Sequence, residues 1–147
     1  MNSTVYIEGL KDNRNTIPYK EFVAKLIKKF DDRRLELCHA AMGVTGEAGE
    51  LCDAIKKHAV YGKQVDIKNI IEELGDLEFY MEVVRAQYDI TRDETLQANA
   101  LKLSTRYRDL EYSDEAAIAR ADKVVAMAEN MATKGNWGLT KEQQGSN

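Results

Sequence analysis

The sequence predicts an all-α protein: an antiparallel helical bundle of four core helices plus a C-terminal helix. Three observations carry this. Long stretches repeat apolar residues at steps of three and four. A single proline and nine glycines leave little to interrupt them. No alternating run bounded by turn residues is long enough to read as a strand. Short connections between the segments favour antiparallel neighbours.

The elements follow in order. Thr16 and Pro18 open a first amphipathic segment, Thr16 as a cap and Pro18 in the first turn, with Phe22, Leu26 and Phe30 at helical spacing. A second segment spans 33–58, interrupted or bent around Gly43 and Gly46. The third, 66–88, is the most regular: Ile67, Ile70, Leu74, Leu77, Met81, Val84 and Tyr88 form one stripe. Thr91 begins the fourth, with Glu94 three residues on as in a capping box, and Leu96, Ala100, Leu103, Tyr107 and Leu110 line it. Ser113, followed by Asp114 and Glu115, caps a fifth helix lined by Ile118, Ala121, Val125 and Ala128. The predicted organisation is an N-terminal extension at 1–15, a helical domain at 16–132 and a flexible polar tail at 133–147.

A chain of 147 residues and 16.6 kDa suffices for one modest core. With 44% hydrophobic and 31% charged residues the composition is globular, not disordered. No apolar run approaches the ~20 residues that span a bilayer, and no signal peptide is visible, so neither a membrane nor export is expected. Cys38 and Cys52 are too few for a disulfide framework and read as buried thiols of a reducing compartment, the cytoplasm. A net charge of −4 argues against nucleic acid as a partner, and any phosphate must be met by a metal or a local cationic cluster.

The informative residues lie beside the apolar stripes. In the second segment Val44, Ala48, Leu51 and Ile55 form the greasy row. One residue earlier, about 100° round the helix, come Glu47, Glu50, Ala54 and Lys57. The third segment repeats the offset with Glu73, Asp76 and Tyr80, and the fourth with Asn99, Lys102 and Arg106. Packing the apolar rows together would bring four carboxylates, a phenol and two or three cations to one rim. The plain alternative is a set of solvated faces, where most charges reside. Against it, Glu47 lies between Gly46 and Gly49, and Gly75 sits between Glu73 and Asp76. Glycine inside a helix costs roughly 1 kcal/mol relative to alanine, a cost understandable where another group must come near.

Four converging carboxylates cannot all stay ionised without a counterion. An all-oxygen ligand set selects a hard ion, Mg²⁺ with Mn²⁺ as a substitute. A ferritin-like di-iron bundle needs two Glu–x–x–His pairs, whereas only Glu36–x–x–His39 is present; Ile55 stands three residues before His58. His39 then reads as a helix-packing residue. Neither cysteine has zinc-site spacing, and there is no Walker A loop or nucleophile elbow.

The stretches GVTGEAGELCDAIKK (43–57) and IIEELGDLEFYM (70–81) resemble the MazG-like, all-α nucleoside triphosphate pyrophosphohydrolases. Their Glu–x–x–Glu, spacer, Glu–x–x–Asp signature is matched by Glu47, Glu50, Glu73 and Asp76. NALKLSTRY (99–107) is similar to the family's Asn–x–x–Lys–x–x–x–Arg–aromatic element. SDEAAIARAD (113–122) is similar to the C-terminal part of small stand-alone members, including phage-encoded ones. Arg108 stands where a proline often follows, and Ala119 where an asparagine often precedes the arginine.

The resemblance implies hydrolysis of a (d)NTP between its α- and β-phosphates, giving a nucleoside monophosphate and pyrophosphate. It implies that Glu47, Glu50, Glu73 and Asp76 hold Mg²⁺, one of them serving as general base, with Lys57, Tyr80, Asn99, Lys102 and Arg106 on substrate. For Tyr80 the alternative is core packing, and for Lys57 a surface lysine. Relatives assemble as dimers or dimers of dimers. The two apolar edges of the third segment, marked by Ile70 and Ile71, likewise favour a homodimer or homotetramer. Other readings are a related hydrolase of dUDP, dUTP, phosphoribosyl-ATP or an alarmone, and a non-enzymatic helical adaptor with an acidic face.

Overall fold

A computed structural model describes residues 3–8 and 16–135. The expected extension and tail, 1–15 and 133–147, fall mostly outside those residues. The described chain is helical apart from one small ribbon: β1 (Thr4–Tyr6), β2 (Thr16–Pro18), α1 (Tyr19–Leu26), α2 (Arg33–Ala59), α3 (Ile67–Gln87), α4 (Arg92–Arg106), α5 (Asp114–Ala119) and α6 (Ala121–Gly135). Two compact units divide it, Met1–Asp93 and Glu94–Asn147. No described helix is long and apolar enough to cross a membrane.

In the first unit β1 and β2 pair antiparallel, with Val5 opposite Ile17. This corrects the expectation of no strand, since three-residue strands are too short for alternation to be read. It also corrects the first helix. Thr16 lies in β2, α1 starts after Pro18 without a side-chain cap, and its end at Leu26 leaves Phe30 outside. α2 is one unbroken helix, not one interrupted at Gly43 and Gly46. Asp32 caps it by accepting from the Arg34 amide at 2.8 Å, and Asp66 caps α3 by accepting from the Asn69 amide at 3.1 Å.

α2 and α3 form an antiparallel hairpin, as their cross-contacts show. Arg33 and Glu36 near the start of α2 hydrogen-bond Gln87 at the end of α3, while Gly43 abuts Tyr80. A Cβ at Gly43 would lie 2.4 Å from the Tyr80 ring, so glycine at this place in α2 admits that ring. The core joins Val23 and Ile27 to Ala40 of α2 and Val83 of α3, with Tyr19, Phe22, Phe79, Tyr80 and Val84 packed around them. Its small size leaves much apolar surface outside: Ile55 is 47%, Ile71 65% and Leu74 48% exposed. Both cysteines are exposed as well, correcting the expectation of buried thiols. They lie on the side of α2 away from Ala40 and Gly43.

In the second unit Ser113 caps α5 by accepting from the Ala116 amide at 3.1 Å, as its sequence predicts. The expected single fifth helix is two, because Arg120 adopts a left-handed conformation, φ 49°, between α5 and α6. Arg106 at the end of α4 grips Asp122 of α6 through two hydrogen bonds, 2.8 and 3.0 Å.

Candidate metal centre

The face of α3 turned toward its neighbours is charged. Glu73, Glu82 and Arg85 are buried beside Val83, whereas Leu74 of the apolar row faces solvent. The expected packing of the apolar row is seen only in part: Ile70, Leu77, Met81 and Val84 are half-buried, Val84 against the core, while Ile67, Leu74 and Tyr88 are exposed. Two rows 100° apart share one interface: of the acidic row Glu73 is buried and Tyr80 half-buried, while Asp76 is exposed.

Glu47 of α2 and Glu73 and Asp76 of α3 each offer one oxygen, all within 4.8 Å of one another; Glu47 is half-buried, Glu73 buried and Asp76 exposed. Burial raises the Glu47 carboxyl above the ordinary range, helped by the charges of Asp76, Glu50 and Glu73. Burial likewise raises Glu73, with Glu50, Glu72 and Asp76 adding to it and a hydrogen bond from Asn69 opposing it. Glu50 is the leading charged neighbour of Glu73 but stands outside the close triplet. Among the described residues, no lysine or arginine pairs with Glu47, Glu73 or Asp76. Three hard oxygen donors on two helices, with Glu47 and Glu73 disfavoured as ions, fit a divalent cation of the Mg²⁺ type.

Beside the acids lies a cavity of about 220 Å³, lined by Gly46, Gly49, Glu50, Lys57, Asn69 and Glu73 among others. Among the described residues, nothing comes within 4 Å of a Cβ placed at Gly46, Gly49 or Gly75. The expected close approach of another group to these glycines is thus not seen, and Gly46 and Gly49 instead leave room. Lys57 stands at this cavity, 2.8 Å from Asp53 one turn earlier, and that contact raises its pKa.

The ring of Tyr80, expected on substrate, packs against Gly43, with His39 at 5.8 Å and Phe79 at 5.3 Å between ring centres. His39 is a packing residue as expected, wedged between Tyr80 and Phe30, although its buried Nδ1 finds no hydrogen-bond partner among the described residues. Asn99, Lys102 and Arg106 belong to the second unit. Asn99 and Lys102 are exposed on α4, and the Arg106 guanidinium, expected on phosphate, is bound by Asp122. That pair lowers the Asp122 carboxyl to about 2 and raises Arg106.

Sequence reasoning missed Asn69, whose Nδ2 donates to Glu73 Oε1 at 3.1 Å, and the pairing of Asp53 with Lys57. Both are spaced i, i+4 on one helix and were legible from that spacing. It also missed the buried pair of Arg85 with Glu82, 2.8 Å apart.

Comparison with known proteins adds one match. No curated protein and no solved structure matches the chain. The model of the MazG nucleotide pyrophosphohydrolase domain matches residues 39–110, a segment that contains Glu47, Glu50, Glu73 and Asp76. That segment of the chain is a MazG nucleotide pyrophosphohydrolase domain.

Proposed function

We propose that the protein is a Mg²⁺-dependent nucleotide pyrophosphohydrolase that cleaves a (d)NTP between its α- and β-phosphates, releasing (d)NMP and pyrophosphate. The observation that carries this reading is the convergence of Glu47, Glu73 and Asp76 without a lysine or arginine partner among the described residues. The MazG match supports the class of reaction.

In this account Glu47, Glu50, Glu73 and Asp76 hold the cation. When bound, it would screen the phosphate charge and acidify water, with Mn²⁺ able to substitute. One of the same carboxylates takes the proton of the attacking water, a task suited to groups whose pKa values are already raised. The space beside Gly46 and Gly49 admits phosphate oxygens close to the α2 backbone. Lys57 at that cavity offsets charge on the leaving pyrophosphate, and Asn99, Lys102 and Arg106 are the second unit's candidate groups for substrate. Asp122 orients the Arg106 guanidinium. Tyr80 contributes by packing, which fixes α2 against α3 beneath the acids.

The exposed Ile55, Ile71 and Leu74 support assembly as a homodimer or homotetramer that covers them. The exposed thiols of Cys38 and Cys52 suit a reducing cytoplasm. The test is pyrophosphate release across a panel of ribo- and deoxynucleotides, with and without Mg²⁺. Pyrophosphate and monophosphate are expected in equal amounts, falling at least about 100-fold in Glu73→Gln and Asp76→Asn, as for loss of a group acting in the transition state. Absence of Mg²⁺-dependent pyrophosphate from every nucleotide would overturn the reading.

A further inference from the structure

We infer that Asn69 is a positioning residue for the cation site, its side-chain amide holding the Glu73 carboxylate in the orientation a cation needs. The inference rests on the reading of the acidic group as a cation site.

Asn69 lies one turn before Glu73 on α3. Its Nδ2 donates to Glu73 Oε1 at 3.1 Å, and its side chain lines the cavity that Glu73 also lines. Its backbone amide is separately satisfied by the capping carboxylate of Asp66. The third position after a cap is favourable for glutamate or glutamine, which reach back to the cap's own amide. Asparagine is a poorer helix former than either. Here its side chain turns forward, toward Glu73, instead.

The chemistry of the alternatives explains an amide at this place. A lysine would neutralise Glu73 and compete with the cation. A carboxylate would add repulsion to a group already raised by Glu50, Glu72 and Asp76. An aliphatic residue would remove the donor and free the carboxylate to rotate toward the cavity it lines. The neutral amide occupies one oxygen and leaves the other for a cation, since an ionised carboxylate accepts on both. Carboxylates that bind metals are commonly held in this way by outer partners.

The test is a Mn²⁺ titration of the full chain followed by electron paramagnetic resonance, beside thermal melting in EDTA. The variants are Asn69→Ala, Asn69→Leu, Asn69→Gln and Glu73→Gln. Asn69→Ala and Asn69→Leu are expected to bind Mn²⁺ at least about tenfold more weakly while melting in EDTA as the unaltered protein does. Asn69→Gln, which keeps a donor, is expected to recover part of the affinity. Unchanged affinity in the Ala and Leu variants, with binding lost in Glu73→Gln, overturns the role of Asn69 and leaves the cation site standing. Weakened binding accompanied by an equal collapse of the EDTA melt in both variants overturns it in favour of a structural role. An unaltered protein that binds no Mn²⁺ overturns both.

Discussion

Near the start of α2 and the end of α3, every buried carboxylate is given a partner. Arg85 lies 2.8 Å from Glu82 and 3.2 Å from Glu78, Arg92 lies 3.2 Å from Glu78, and Glu36 accepts from Gln87 with Lys29 at 3.9 Å. Further along the same two helices, Glu47, Glu73 and Asp76 crowd together with no such cation among the described residues. The difference separates charges that hold the hairpin from charges kept for something else. Burying an acid is costly in both places, and among the described residues only one place offsets the cost with a cation.

The largest effect expected from disturbing the comparison is at the paired end. Arg85→Ala leaves Glu82 buried without its cation and should destabilise the fold by about 3 kcal/mol, read from the urea midpoint. A loss below about 1 kcal/mol would mean that the pair does not hold the hairpin.

Between the two ends, Gly43→Ala sets a Cβ against the Tyr80 ring. The expected cost is about 1–2 kcal/mol, overpacking outweighing the helix propensity gained. In a Tyr80→Leu background, which removes the ring, the same substitution should cost less; a double-mutant cycle measures the coupling, and strict additivity would contradict the packing role.

The smallest effects lie in pH. Because Glu47 and Glu73 are raised, the folded state holds more protons than the unfolded one just above the ordinary carboxylate range. Stability in EDTA should therefore fall as pH rises through that window, and Glu73→Gln should flatten the slope. The Arg106–Asp122 pair works with the opposite sign. Asp122 is lowered from 3.8 to about 2, so its contribution is present above 3.8 and is lost as pH falls toward 2. Thermal melting from pH 2 to 8 with Glu73→Gln and Asp122→Asn separates the two, and slopes of one common sign would contradict the contrast.

What was legible in the sequence follows from how local each signal is. The bounds of α3 were readable because Asp66 caps it and its apolar stripe is regular, and Ser113 announced α5 in the same way. The acidic spacing was readable too, since a turn of helix fixes which carboxylates share a side. What could not be read depends on partners distant in the chain. The need for glycine at 43 rests on the Tyr80 ring packed there, 37 residues away. How far each of two adjacent rows of α3 turns inward depends on the packing of α1 and α2, which buries Glu73 and leaves Leu74 exposed. The break at Arg120 carries no glycine or proline to mark it.

The central claim is that Glu47, Glu73 and Asp76, with Glu50 beside them, exist to hold a divalent cation. A crystal soaked in Mn²⁺ tests it most directly through anomalous scattering. A peak between α2 and α3, bounded by oxygens of Glu47, Glu73 and Asp76 and absent in Glu73→Gln, is the expected result. A structure at the same Mn²⁺ concentration with the ion elsewhere, or with these carboxylates turned apart into solvent, would contradict it.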